Sequence, residues 1–224
     1  MVSYRLALRT GDAHDPADLP GLMEMMTGLL IEGTESRTSR EIADEVARLG
    51  ATLHAGANSD YTTVAASSLA MFNDEILELM ADVVLRPVFP ENEVDLTKQN
   101  TKESLKQQRA QPSFLASEMV AQVMFGNHPY HVVAPTPESV DATTREQLIE
   151  FHRANFIANN AVLIIAGDVK QQSIVERVES LFGGWSSGPV TGDEFPTRNV
   201  PIARLTWSID LVRRKRISSL PTAA

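Results

Sequence analysis

The sequence contains no cysteine, which excludes a disulfide framework, a thiolate nucleophile and any cysteine-ligated zinc site. No apolar run approaches the ~20 residues that a membrane-spanning helix needs. Cations are outnumbered, 20 Lys and Arg against 29 Asp and Glu for a net charge of −9. That balance argues against duplex nucleic acid, whose phosphates require a concentrated basic face. The one basic cluster, Arg213-Arg214-Lys215-Arg216, reads as a solvated tail run. No glycine-rich phosphate loop is present, because Gly126 and Gly183-Gly184 lack a following Lys-Ser/Thr. Ser67-Ser68 lies outside any Gly-x-Ser-x-Gly turn, so a serine nucleophile has no support. The first residues lack the charged and apolar regions of a signal peptide. The expected location is cytoplasmic, or periplasmic where a leader has been removed.

What is present suits a globular chain. Its 224 residues are 43% hydrophobic, enough to bury roughly 70% of the unfolded surface. Residues 2–8 alternate as a strand that runs into Gly11-Asp12. Residues 22–31 form a mostly apolar helix, and the Met23, Met25 and Met26 cluster reads as core filling. Thr38-x-x-Glu41 is a capping box for a helix with Ile42, Val46 and Leu49 on one face. Residues 51–56 and 61–69 are β-prone around a turn at Asn58-Ser59-Asp60.

Ile76, Leu77, Met80, Val83 and Val84 repeat at helical spacing, and a more polar helix over 91–109 is closed by Pro112. Leu115, Met119, Val123 and Met124 mark a further helix, followed by a proline-rich loop at His128-Pro129-Tyr130. Thr144-x-x-Gln147 caps a helix that runs to about Asn155. Residues 162–166 are continuously apolar, as in a central strand, and Ile174, Val175, Val178 and Leu181 line a last helix. The segment 188–201 reads as a linker, and Leu205, Trp207, Ile209 and Leu211 alternate as a final strand. Strands that alternate irregularly with helix pairs predict an α+β fold.

Several strings along residues 2–185 resemble the N-terminal domain of the M16 metallopeptidases, the family of pitrilysin, insulinase and mitochondrial processing peptidase. They include Gly11-Asp12, Asp15-Pro16, Gly21-Leu22, Glu32-Gly33-Thr34 and Gly50-Ala51-Thr52-Leu53-His54-Ala55. Farther on come Arg86-Pro87-Val88-Phe89-Pro90, Asn127-His128-Pro129-Tyr130, Gly167-Asp168-Val169 and Leu181-Phe182-Gly183-Gly184-Trp185. The resemblance implies a LuxS/MPP-like metallohydrolase domain, a mostly antiparallel sheet packed against helices. It also implies a domain over 1–187, a linker over 188–201, and over 202–224 the start of a truncated second domain or a tail.

Members of that family carry His-x-x-Glu-His on the first helix and a distal glutamate about 75 residues later. Two histidines at i and i+4 share one helix face and reach one zinc, while the glutamate activates its water. Here Gly21 and Thr34 align without a gap, which puts Glu24 at the first histidine, Thr27 at the general base and Gly28 at the second histidine. The distal position in Lys102-Glu103-Ser104-Leu105 is Ser104, with Glu103 beside it. All four functional positions differ from the family's. A hydroxyl has no useful pKa near neutrality for general-base work, and glycine offers no ligand.

The resemblance therefore implies a non-catalytic domain that binds no zinc. It would be the partner of a catalytically active M16 subunit in a homo- or hetero-oligomer, holding extended peptide. The hairpin at His54 and Ala55 is the expected place for peptide to add as a strand. No nucleic-acid or membrane partner is expected. Two alternatives stand beside this reading: an active zinc endopeptidase with an atypical site, for example His54 with Glu24 and Glu103, and a truncated fragment with no activity of its own. His128 and His131 read as packing, His152 as a half-buried surface residue and His14 as a loop residue.

Overall fold

The computed structural model describes residues 1–190 together with Gly192 and Phe195. Most of the predicted linker, and the strand predicted after it, lie outside the described residues. Strands β1 (Val2–Leu8), β2 (Thr52–Ala57), β3 (Thr62–Ser68) and β4 (Ala161–Gly167) form one sheet in the order β2-β3-β1-β4. Every pairing is antiparallel, with Leu6 opposite both Val64 and Leu163. Helices α1 (Leu22–Leu29), α2 (Ser39–Arg48), α3 (Asn73–Leu85), α4 (Glu91–Arg109), α5 (Pro112–Phe125), α6 (Pro137–Ala142), α7 (Arg145–Asn155) and α8 (Gln171–Phe182) complete the described fold. This is the α+β architecture that the sequence predicts.

Alternation in β1 sends Val2, Tyr4, Leu6 and Leu8 to the helical side, where all four are buried. Val64 and Ala66 of β3 and Leu53 of β2 join them. Onto that face pack Met23, Met26 and Leu29 of α1 and Ile76, Leu77, Met80 and Val83 of α3, in one contiguous core. The methionine cluster of α1 is thus core, as its composition suggests. The Thr38 hydroxyl accepts from the Glu41 amide while the Glu41 carboxylate takes the Thr38 amide, so the capping box of α2 is closed.

Close backbone approaches account for two of the glycine strings. A Cβ on Gly11 would sit 2.1 Å from the carbonyl oxygen of Asn58, because the β2–β3 turn lies directly against it. The Asp12 amide bonds that same carbonyl at 3.0 Å. Gly21 has φ +93° and a Cβ there would meet Pro135 at 2.6 Å. Asp15 then caps α1, its two carboxylate oxygens accepting from the amides of Gly21 (2.7 Å) and Met23 (2.8 Å).

The structure corrects three local expectations. Among the described residues β4 pairs only with β1 and lies at the edge of the sheet, with Val162 and Ile164 exposed and Leu163 and Ile165 facing the core. A continuous apolar run shows that both faces lack polar residues, but it does not fix how many neighbours a strand has. Pro112 does not close α4; it opens α5 as a first-turn proline, where its missing N–H costs nothing. His152 is buried rather than half-buried. Its Nε2 bonds the Val84 carbonyl at 2.9 Å and its ring stacks on Phe156 with centroids 4.5 Å apart. Among the described residues no helix is long and apolar enough to cross a membrane.

Candidate functional site

Helix α1 packs on β2 and α4, so the three elements that carry the predicted site residues adjoin. Glu24 lies in the first turn of α1 and lines a cavity of about 1080 Å³. The residue stays exposed, and its pKa is raised, first by partial desolvation and then by the charge of Asp12. Thr27 is buried, and its hydroxyl donates to the Glu24 carbonyl at 3.0 Å. That bond turns the side chain back along its own helix. Gly28 is exposed, and nothing stands within 4 Å of where its Cβ would be.

Across from α1, the distal position on α4 presents Ser104. It is exposed and accepts from the side-chain amide of Gln108 at 3.0 Å. Glu103 beside it is also exposed. Among the described residues no three His, Asp or Glu side chains are grouped to hold a metal, so His54, Glu24 and Glu103 are not gathered into a site. A catalytic zinc takes three protein ligands and leaves one position for water. One carboxylate, a hydroxyl turned away and a glycine do not fit that set.

His54 and Ala55 lie on β2, opposite Ala65 and Val64 of β3. Among the described residues β2 pairs only with β3 and forms one rim of the sheet, with His54 exposed. This rim offers unpaired backbone groups to an added strand. The other histidines serve the fold. The His128 Nδ1 accepts from the Tyr130 amide at 3.2 Å and its ring meets Tyr130 edge-on, centroids 4.4 Å apart. His131 Nδ1 lies 2.8 Å from the His128 carbonyl.

The sequence assigned no role to two features of this region. One is Asp15, whose pKa rises to about 7 because burial outweighs its two backbone hydrogen bonds. The other is the apolar wall that α5 adds to the cavity. The Asp15-Pro16 string marked the first as notable, and the apolar composition of α5 was the available signal for the second.

Residues 1–136 match the family model described as Insulinase (Peptidase family M16), and residues 142–218 match the model described as Peptidase M16 inactive domain. The chain belongs to the M16 peptidase family. It is 25% identical over 197 residues to a protein of Bacillus subtilis named as an uncharacterized zinc protease, covering 87% of this chain and 48% of the relative. A Mycobacterium leprae protein of the same description is 29% identical, with 77% and 39% covered. A probable mitochondrial-processing peptidase subunit beta of Arabidopsis thaliana is 24% identical, with 81% and 34% covered.

Among solved structures, a peptidase M16 inactive domain from Pseudomonas fluorescens superposes with a TM-score of 0.80 at 26% identity, over 85% of this chain and 47% of that one. Pitrilysin superposes with a TM-score of 0.77 at 14% identity, over 89% and 22%, a likeness of fold. The chain spans about half or less of the length of these relatives.

Proposed function

We propose that this chain is a non-catalytic M16 domain that holds extended peptide and works beside a catalytically active M16 subunit. The observation that carries the reading is the α1 face itself. Gly28 opens on empty space, Thr27 is folded back on its helix, and Ser104 faces solvent where a carboxylate would be needed. The peptide-holding half of the proposal rests on the open rim of β2 at His54 and Ala55. Backbone pairing there would accept many sequences, since its hydrogen bonds come from groups that every residue carries. The relatives' names support a peptidase context, and each of those proteins is about twice this chain's length or more.

The test is binding of a labelled extended peptide to the purified chain, followed by fluorescence polarisation. Saturable binding that is lost when the same peptide is N-methylated along one backbone edge supports strand addition. Absence of binding, with no change in turnover by the active partner when the chain is added, would overturn the reading. The description of several relatives as zinc proteases favours one competing reading, an active peptidase with an unconventional metal site. Peptide hydrolysis by the isolated chain that disappears in Glu24→Ala would establish it.

A further inference from the structure

The chain does not leave the domain where α8 ends. Just past that helix the Trp185 indole N–H donates to the Phe156 carbonyl at 2.8 Å, and the Ala158 amide donates to the Ser186 carbonyl at 3.0 Å. The Asn159 side chain then pairs with Gly188 much as a neighbouring strand would. Its Nδ2 donates to the Gly188 carbonyl at 2.9 Å and its Oδ1 accepts from the Gly188 amide at 3.0 Å. Residues 185–188 are thus fastened to residues 156–159. Seven residues on (188 to 195), the Phe195 ring stands edge-on to two imidazoles, 5.2 Å from His14 and 5.2 Å from His128 between centroids. Their planes are inclined at 68° and 63°, the T-shaped arrangement that aromatic pairs favour. A segment of that length reaches ~25 Å at most, so it is a strap held at both ends.

The two imidazoles belong to turns far apart in sequence. His14 ends the turn Asp12–His14 ahead of α1, where its Nδ1 accepts from the Gly11 amide at 3.3 Å. His128 precedes the turn Pro129–His131 after α5, and its ring packs on Tyr130. The two turns adjoin. Asp12, Ala13, Pro129 and His131, from these same turns, line the cavity of about 1080 Å³. Phe195 therefore bridges two pieces of one cavity wall.

We propose that Phe195 is a latch. Seated between His14 and His128, it holds the two turns together, and its withdrawal lets them part and opens that wall of the cavity. The chain that continues past Phe195 is thereby coupled to the cavity, because displacing it draws the ring from its seat. This device is independent of the β2 rim and stands whether or not that rim holds peptide.

The test is hydrogen exchange, followed by mass spectrometry, on the full chain, on Phe195→Ala and on Phe195→Tyr, which keeps the ring. Amides of residues 11–15 and 127–132 should exchange roughly tenfold faster in Phe195→Ala. Those of α3 should keep their rates, and Phe195→Tyr should restore protection in both turns. If Phe195→Ala does not fold, Phe195→Leu, which keeps apolar bulk and loses the ring edges, carries the same comparison. The absence of cysteine also allows paired spin labels at Ala17→Cys and Val133→Cys, two exposed residues that line the cavity. Loss of the Phe195 ring should extend their distance distribution to longer separations. Unchanged exchange in both turns with an unchanged label distance overturns the latch. Acceleration that is equal in α3 also overturns it, since the ring would then support the whole domain and not the two turns.

Discussion

Asp82 has no solvent-exposed side-chain surface, and it accepts hydrogen bonds from Thr34 (2.7 Å), Ser36 (2.8 Å), Arg37 (2.7 Å) and Arg86 (2.8 Å). Burial alone would raise its pKa, but these four donors outweigh it and hold the carboxyl below its usual range. The contacts bring Thr34 of Glu32-Gly33-Thr34 and Arg86 of Arg86-Pro87, far apart in sequence, onto one carboxylate. Removing it takes an acceptor from Thr34, Ser36, Arg37 and Arg86, while Arg37 keeps Glu45 at 2.8 Å and Arg86 is partly solvated. Asp82→Ala is expected to cost about 1.5–3 kcal/mol, measured by urea unfolding, with a loss below 1 kcal/mol contradicting the network's importance.

His152 sets a pH dependence of definite sign. Its pKa is pushed down to about 4, chiefly by burial and further by Arg153, with the bond to Val84 opposing. In the unfolded chain it titrates near its ordinary value of about 6.5. Between these values the unfolded state binds a proton that the folded state refuses. Its stability contribution is therefore complete above about pH 6.5 and lost as pH falls toward 4, by up to about 1.4 kcal/mol per pH unit. In the difference between wild type and His152→Gln, wild-type stability should fall more steeply over that window. Parallel curves would refute the assignment.

For the elements, α1 is the informative case. Its buried residues Leu22, Met23, Met25, Met26 and Leu29 hold it to the sheet, while Gly28 sits on the open side with no neighbour for a Cβ. Glycine at an exposed helical position costs conformational entropy on folding. Gly28→Ala is expected to stabilise the chain by about 0.5–1 kcal/mol, read as a raised Tm. Destabilisation would mean that the position is crowded in solution and that the open face is misread.

α2 gives a matching check on its cap. Thr38→Ala should cost about 1 kcal/mol, since the Glu41 amide loses its acceptor. A cost indistinguishable from zero in urea unfolding would show that the closed box adds nothing.

These elements also show what the sequence made legible. Capping boxes at Thr38 and Thr144, the alternation of β1 and the Asn58-Ser59-Asp60 turn are local signals, and the structure places helix starts, strand and hairpin there. The edge position of β4 and the burial of His152 depend on which distant element lies alongside, and no local pattern encodes that. The short helix α6 escaped because its six residues are too few to show a period. It starts at the box that Thr136 forms with Ser139, whose hydroxyl also reaches the Pro20 carbonyl at 2.9 Å.

At the scale of the molecule, the sheet has β2 and β4 at its two rims among the described residues, and α5 borders an apolar and acidic groove. The sequence assigns Glu24, Thr27 and Gly28 to the family's zinc positions because they fall within an ungapped string from Gly21 to Thr34. The groove was not legible there, since it joins residues 12–24 to residues 109–136 only in the fold. On the proposed reading, a domain that keeps the family's architecture while its first helix carries Glu24, Thr27 and Gly28 binds peptide without cutting it.

The most direct test is the zinc content of the untagged purified chain by elemental analysis, with peptide hydrolysis followed on the same sample. The account predicts zinc far below one ion per chain and no hydrolysis when zinc is added. One tightly held zinc per chain, with hydrolysis that chelation abolishes and zinc restores, would contradict it.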